Sequence, residues 1–408
     1  MIVHSRFPEG RAGLSVGALV DEAAAEPPGG PLAVGDERIR GFLEAVARRL
    51  VAVEVARAHP ELAALGFFLR RAEISRALDR LSPADGLRMP RGLVFHIPPA
   101  NVDTVFVYSW ALSALAGNHN VVRLSPRAGG AAMAVLGIML DALADTHPAV
   151  AASQRIISYD RSDEVTARLS RACDLRVTWG GDAAVHDLRR HPLAAHARDL
   201  IFPDRSSFCA IAAAAWLAAP GETRERAVEG FVNDAYWFDQ AACASPRAVF
   251  WVGPADAARA ARADFTARLA DRVADRRPID PAMAVEKRVA AYGLAADGLA
   301  DKITFHGNAL AEIDLTGPAA LPRRWMGAGT FAHTRIDTLD DLRAVVHRKD
   351  QTMTHFGFGQ ADLHALAHAL AGRGLDRMVP IGSALTFNGV WDGVHLLTEF
   401  TRLVTITG

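Results

Sequence analysis

The sequence predicts an α/β protein of two domains, each built around a parallel sheet. Three observations carry this expectation. From Gly92 onward short apolar runs alternate with longer segments of helical pattern, an order that needs crossover connections and therefore parallel strands covered on both faces. A second series of the same kind starts near Ser206. The 408 residues suffice for two compact cores, whereas one core of that size would be unusually large.

In chain order, residues 18–36 are rich in Ala, Pro and Gly and read as a surface lead-in. A helix is expected over 38–55, where Ile39, Phe42, Leu43, Val46 and Leu50 recur at helical spacing. Residues 64–81 continue in that style after His59-Pro60, giving a helical preface. Strands of the first sheet are expected at 93–97, 120–124, 155–159, 175–179 and 200–203, with a helix over 102–115. The second series reads as a strand from 206 through 210, a helix over 224–237, a strand at 248–252 and a helix over 255–273. A helix at 339–347 and a strand around 355–358 follow. The last stretch ends in the apolar run Leu403 to Ile406, suited to pairing with another subunit's sheet edge.

Hydrophobic residues make up 50% and charged residues 22%, a globular composition. The 45 basic and 46 acidic residues are spread along the chain, so no single-sign field attracts nucleic acid or anionic lipid. An anionic ligand has to be gripped locally. The most apolar stretch, 131–144, is interrupted by Asp141 and is too short to span a bilayer. Residues 1–17 lack the apolar core of a secretory signal. Cys173, Cys209 and Cys243 show no CxxC spacing, which speaks against a disulfide framework or a zinc site and suits a reducing cytoplasm. His364 and His368 share a helix face but lack the glutamate of a HExxH pattern, so no metal is expected there.

Four segments carry candidate chemistry. In Phe238-Asp-Gln-Ala-Ala-Cys-Ala-Ser-Pro246 a helical pattern stops just before a cysteine with small neighbours, and a strand follows. A nucleophile on such a turn can be reached, and backbone N–H groups there can face a developing oxyanion. The plainer role of a lone cysteine is a small buried side chain, and Cys173 and Cys209 carry only that role. In His96-Ile-Pro-Pro-Ala-Asn101-Val, Asn101 is placed either to donate its amide into a cleft or to cap the next helix. Ala116-Gly-Asn-His-Asn-Val-Val-Arg123-Leu-Ser125 ends a strand in a cation and a hydroxyl, which suit a ribose or phosphate. Val177-Thr-Trp179-Gly180-Gly181-Asp182 is a strand-to-helix turn whose glycines admit a pyrophosphate, or a plain turn capped by Asp182. The GxGxxG fingerprint is absent, so a dinucleotide site here is of another kind.

In this order and spacing, from about Gly92 to the C-terminus, these segments resemble the aldehyde dehydrogenase superfamily and, within it, the LuxC-type acyl-CoA reductases. Val379-Pro-Ile-Gly-Ser-Ala-Leu385 and Trp391-Asp-Gly393 add to the match. The resemblance implies a nicotinamide-cofactor-binding domain over 1–204 that includes the helical preface, and a catalytic cysteine domain over 205–378. Residues 379–408 would form a C-terminal return with an oligomerisation strand, hence a homo-oligomer. Cys243 matches the acyl-accepting cysteine, and Asn101 the asparagine that forms the oxyanion hole with the cysteine's own N–H. Arg123, Ser125, Trp179, Gly180, Gly181 and Asp182 match the cofactor side. Arg123 stands where the superfamily usually has a lysine near the adenosine ribose. Ser125 and Pro126 cover the place where NAD-preferring members set a glutamate against the ribose hydroxyls, so NADPH is expected over NADH.

The implied function is reduction of an acyl thioester, on CoA or a carrier, to the aldehyde through an acyl-cysteine, with an acyl-transferring or acyl-activating protein as partner. Two departures bear on it. The water-activating Glu-Leu-Gly-Gly of oxidising members is matched by Phe202-Pro-Asp-Arg-Ser-Ser207, a loss that spares an acyl-enzyme from hydrolysis. Their Glu-x-Phe-Gly-Pro, which holds the nicotinamide ribose, is replaced by Arg324-Trp-Met-Gly-Ala-Gly329. The first departure disfavours the alternative of an oxidising aldehyde dehydrogenase. The presence of Cys243 and Asn101 disfavours a non-catalytic acyl-holding subunit. No base for the thiol can be named: Asp239 is near in the chain, but a carboxylate beside the sulfur would raise its pKa.

Overall fold

The computed structural model describes residues 2–81, 86–99, 105–126, 128–274 and 280–407. They form two compact units, one holding the residues up to 203 and from 387 onward, the other residues 204–386.

The strands of the first unit are β1 (Ile2–Phe7), β2 (Arg11–Ser15), β3 (Leu87–Pro90), β4 (Leu93–Ile97), β5 (His119–Arg123), β6 (Gln154–Ser158), β7 (Leu175–Trp179) and β8 (Arg198–Phe202). All but β3 join one sheet in the order β2-β1-β6-β5-β4-β7-β8. Strands β4 to β8 run parallel to one another, as expected. Every residue of β4, β6 and β7 is buried, because helices cover both faces. Phe42, Trp110 and Val135 pack on one face; Leu19, Val165 and Leu169 pack on the other. The chain winds from β4 out through β5 to β6, then returns to β7 on the far side of β4. That reversal of winding sits at the carboxyl ends of β4 and β7, where open parallel sheets take their ligands.

Several polar members of these strands bond to one another and to the covering helix. His96 of β4 contacts Ser109 Oγ through Nδ1 at 3.0 Å and Asn120 Oδ1 through Nε2 at 2.8 Å. Asn120 Nδ2 and Trp110 Nε1 both donate to Gln154 Oε1 at 2.8 Å. Burial lowers the His96 pKa to about 4, so the ring is a neutral structural tie and not a proton carrier.

The N-terminal segment departs from expectation. Strand β1 buries Val3, Ser5 and Phe7 in alternation and pairs antiparallel with β6 and β2. The lead-in begins inside a helix, Val16–Ala24, whose first turn is capped by Ser15 Oγ accepting from Ala18 N at 3.1 Å. The preface helices are shorter than their apolar patterns. The first runs Glu37–Leu50 and is followed by Val53–Ala58; the second divides into Pro60–Phe68 and Arg71–Asp79.

The second unit carries β9 (Ser206–Ala212), β10 (Pro246–Val252), β11 (Ala300–His306), β12 (Leu310–Leu315), β13 (Thr330–Ile336), β14 (Asp350–Phe356) and β15 (Arg377–Pro380). They form a sheet in the order β11-β12-β13-β10-β9-β14-β15, parallel except for β11. Phe208, Ala210, Phe250 and Met353 fill one core, and Cys209, Ile211, Val249 and Trp251 the other. Residues 379–386, expected in a separate return segment, stay with this unit because β15 pairs with β14.

Two elements here differ from the sequence reading for the same reason. Strand β12 buries Glu312, held by His306 Nε2 at 2.9 Å, Thr266 Oγ1 at 2.8 Å and Arg262 Nη2 at 3.2 Å. Strand β14 starts at Asp350, five residues before its expected start, and its first five residues are buried although four are polar. The segment expected as a helix at 339–347 is a 3-10 turn, Leu339–Ala344.

The C-terminal run begins in a strand paired within the chain. Thr401–Val404 pairs antiparallel with β3 inside the chain, while Leu403 and Ile406 remain exposed. Among the described residues no helix is long and apolar enough to cross a membrane.

Candidate active site

Cys243 lies in the loop between the helix Gly221–Tyr236 and β10, and it is partly exposed. Cys173 and Cys209 are 1% and 0% exposed, and burial pushes both thiols up to about 12. Of the three cysteines, Cys243 alone is accessible.

Its loop is held from several sides. Asp239 and Gln240 adopt left-handed backbone conformations, φ 49° and 61°, which non-glycine residues keep only where their surroundings enforce them. Gln240 enforces its own: the buried amide donates to Pro246 O at 2.8 Å and Thr330 O at 3.0 Å, and accepts from Thr330 N at 3.1 Å. Trp325 Nε1 donates to Asp239 O at 2.9 Å. Ser245 Oγ donates to Asp234 O at 2.7 Å. Ser207 Oγ accepts from Thr352 N at 3.1 Å and donates to Cys243 O at 2.6 Å. The cysteine backbone is thereby pinned to β9 and β14 and its side chain left accessible.

Ser207→Ala should remove the bridge and take away the acceptor of the buried Thr352 N–H. The expected outcome is a loss of about 2 kcal/mol in unfolding free energy and a changed rate of Cys243 alkylation by a thiol reagent. Denaturant unfolding and a labelling time course check it; unchanged values in both would exclude the bridge as a support.

The segment 379–385 lies against the helix that precedes this loop. Asp234 accepts from Gly382 N at 2.7 Å and Ala384 N at 2.9 Å. Burial raises its carboxyl pKa to about 7 against the opposing pull of those N–H groups. Gly382 has φ +91°, and a Cβ on Gly230 would meet its Cα at 2.9 Å, so both positions need glycine.

In the first unit, Arg123 closes β5 and Ser125 follows it, while the Gly180-Gly181-Asp182 turn follows β7; all lie along the carboxyl edge of one sheet. The Arg123 guanidinium stacks 4.7 Å from the Tyr159 ring centre, and its Nε has no hydrogen-bond partner among the described residues. Gly181 and Asp182 are exposed, and Gly181 caps the helix Asp182–Arg189 without a side-chain bond. Trp179 is different: it is 7% exposed and stacks on Phe202 with ring centres 3.8 Å apart, so its ring belongs to the core. Asn101 lies outside the described residues. His364 and His368 are exposed on the helix Gln360–Leu370, and no group of metal-holding side chains occurs among the described residues.

The sequence reading missed Ser207, Trp325 and the clamp made by Gln240. Gln240 and Ser245 were visible inside the cysteine motif, but their roles depend on strands distant in the chain.

The two sheets give the fold of the aldehyde dehydrogenases. The fold aligns with aldehyde dehydrogenase 21 of Physcomitrella patens at TM-score 0.70 and 11% identity, covering 97% of this chain and 91% of that one. A putative aldehyde dehydrogenase of Burkholderia cenocepacia aligns at TM-score 0.68 and 18% identity, over 99% and 95% of the two chains. An aldehyde dehydrogenase of Mycobacterium tuberculosis, solved with NAD+, aligns at TM-score 0.64 and 14% identity, over 96% and 89%. Residues 69–296, more than half of the chain, match the acyl-CoA reductase (LuxC) family, and the chain belongs to that family. A long-chain acyl-protein thioester reductase of Aliivibrio fischeri is 26% identical over 166 residues, 40% of this chain. The matched stretch spans only 33% of that relative.

Proposed function

We propose that the protein reduces an acyl thioester, carried on CoA or a protein thiol, to the aldehyde through an acyl-Cys243 intermediate. The observation that carries this reading is the clamped, partly exposed Cys243, the one accessible cysteine among three in a chain of the acyl-CoA reductase family. The Cys243 thiolate attacks the acyl carbon, the C–S bond to the carrier breaks, and the carrier thiolate leaves with the electron pair. The Asn101 amide and the Cys243 N–H stabilise the tetrahedral oxyanion. When bound, a nicotinamide cofactor supplies the hydride that converts the acyl group to the aldehyde.

The residues for that cofactor fit on physical grounds. The carboxyl edge of the first sheet presents an uncapped helix N-terminus at Gly181 and a cation at Arg123 with an unsatisfied Nε. Gly180, Gly181 and Asp182 would hold the pyrophosphate, with Arg123 and Ser125 at the ribose; Trp179 would stiffen the turn from within the core. With no carboxylate at 125 or 126 and a guanidinium beside them, NADPH is the preferred form. The M. tuberculosis structure with NAD+ supports a nicotinamide site in this fold. Phe202, buried in the core where oxidising relatives carry their water-activating glutamate, supports reduction over hydrolysis.

Asn101→Ala is expected to lower kcat by about 10² to 10³; a normal rate would reduce Asn101 to a helix cap. The function itself is tested by following NADPH and NADH oxidation with a panel of acyl thioesters and trapping the aldehyde. Thioester-dependent oxidation with aldehyde released supports the reading. Acid formed from aldehyde without CoA would replace it by the oxidising reaction.

A further inference from the structure

Arg247 is the second residue of β10, four positions beyond Cys243 and immediately past the clamp at Pro246. Its side chain is 3% exposed, and its Nε and Nη1 have no hydrogen-bond partner among the described residues. A guanidinium keeps its charge throughout the pH range of folded proteins. A buried cation with open donors is costly unless an anion compensates it. Two ionisable groups lie within its electrostatic reach, Asp204 and Cys243. The Asp204 carboxylate is about one-third exposed and already paired with Lys349 Nζ at 3.0 Å. Cys243 is the other of these two groups, and Gln240 and Ser207 fix the loop that carries it.

We propose that Arg247 is a positioning residue for the acyl-transfer step, its buried guanidinium holding the Cys243 sulfur as the thiolate that attacks the acyl carbon. The proposal rests on the reading of Cys243 as the acyl acceptor. It supplies what that reading lacks. A cysteine thiol with pKa ~8.5 is only a few per cent ionised at neutral pH, and a neighbouring fixed cation is one of the arrangements that raises this fraction. Asp239, the carboxylate closest to Cys243 in sequence, would act in the opposite sense.

The test is the pH dependence of Cys243 alkylation by iodoacetamide in the full chain, with the adduct located by peptide mass spectrometry. Cys173 and Cys209 are buried and do not compete. The unaltered protein should show a midpoint at least about one pH unit below the ~8.5 of an unperturbed thiol. Arg247→Gln should move that midpoint up by about a unit and slow alkylation at pH 7 roughly tenfold. Arg247→Lys, which keeps a cation, should hold it below ~8.5. An unaltered protein with a midpoint of ~8.5, or a folded Arg247→Gln protein whose midpoint does not move, overturns the proposal. Should Arg247→Gln fail to fold, the midpoints of the unaltered protein and Arg247→Lys decide the matter, and either one at ~8.5 overturns it. An ordinary midpoint together with an acyl adduct on Cys243 would remove Arg247 and leave the acyl-acceptor reading standing. A lowered, Arg247-dependent midpoint without any acyl adduct would do the reverse.

Discussion

Cys243→Ala is expected to abolish acyl transfer and aldehyde formation while the protein stays folded. Both halves of this expectation come from the same loop. The groups that hold it bond to main-chain atoms or to neighbours of the cysteine: Ser207 to Cys243 O, Gln240 to Pro246 O and Thr330, Trp325 to Asp239 O. The sulfur itself is partly exposed, so its removal opens no sealed cavity. Chemically nothing replaces it, since alanine has no nucleophile and the other two cysteines are buried. Thioester-dependent NADPH oxidation and circular dichroism check the two halves; turnover retained by a folded Cys243→Ala protein would reject the assignment.

Asp350→Ala is expected to produce the largest loss of stability, about 3 kcal/mol, out of the roughly 5–15 kcal/mol available to a folded domain. Asp350 is fully buried and takes a two-pronged bond from Arg323, with Nε on Oδ1 and Nη2 on Oδ2 at 2.9 Å each. Its Oδ2 also accepts from His347 N at 2.8 Å. Removing the carboxylate takes the acceptor from a largely buried guanidinium and from the His347 N–H just before β14. Activity should fall as well, because Thr352, two residues on, anchors the Ser207 bridge to the cysteine loop. Urea unfolding measures the first effect; a shift below about 0.5 kcal/mol would show that the pair contributes little.

The parts of the fold legible in the sequence were those whose burial is written in apolar residues. Strands β4 to β8 and β10 read as apolar runs, and the helix Ala255–Ala274 followed from its pattern. Strands β12 and β14 did not, because Glu312 and Asp350 are buried with partners from other elements, and a lone sequence presents such residues as surface. At the N-terminus, β1 is a six-residue alternation whose partner β6 lies far along the chain.

The site was legible in part. Segment 379–385 matched the family, and its left-handed backbone and close packing against Gly230 explain why Gly382 is needed there. The motif also marked the cysteine loop, and the structure gives Gln240 and Ser245 their clamping bonds. Trp179 was assigned from its place in a turn, yet its ring turns inward onto Phe202. Arg247 stood next to the motif and carried no signal in sequence, since an arginine on a strand is ordinarily solvated.

The most direct measurement is peptide mass spectrometry of the protein incubated with a long-chain acyl thioester in the absence of reductant. An acyl mass on the peptide containing Cys243, discharged as aldehyde when NADPH is added, is the predicted result. A protein that turns over thioester and NADPH with no acyl group ever found on Cys243 would contradict the account.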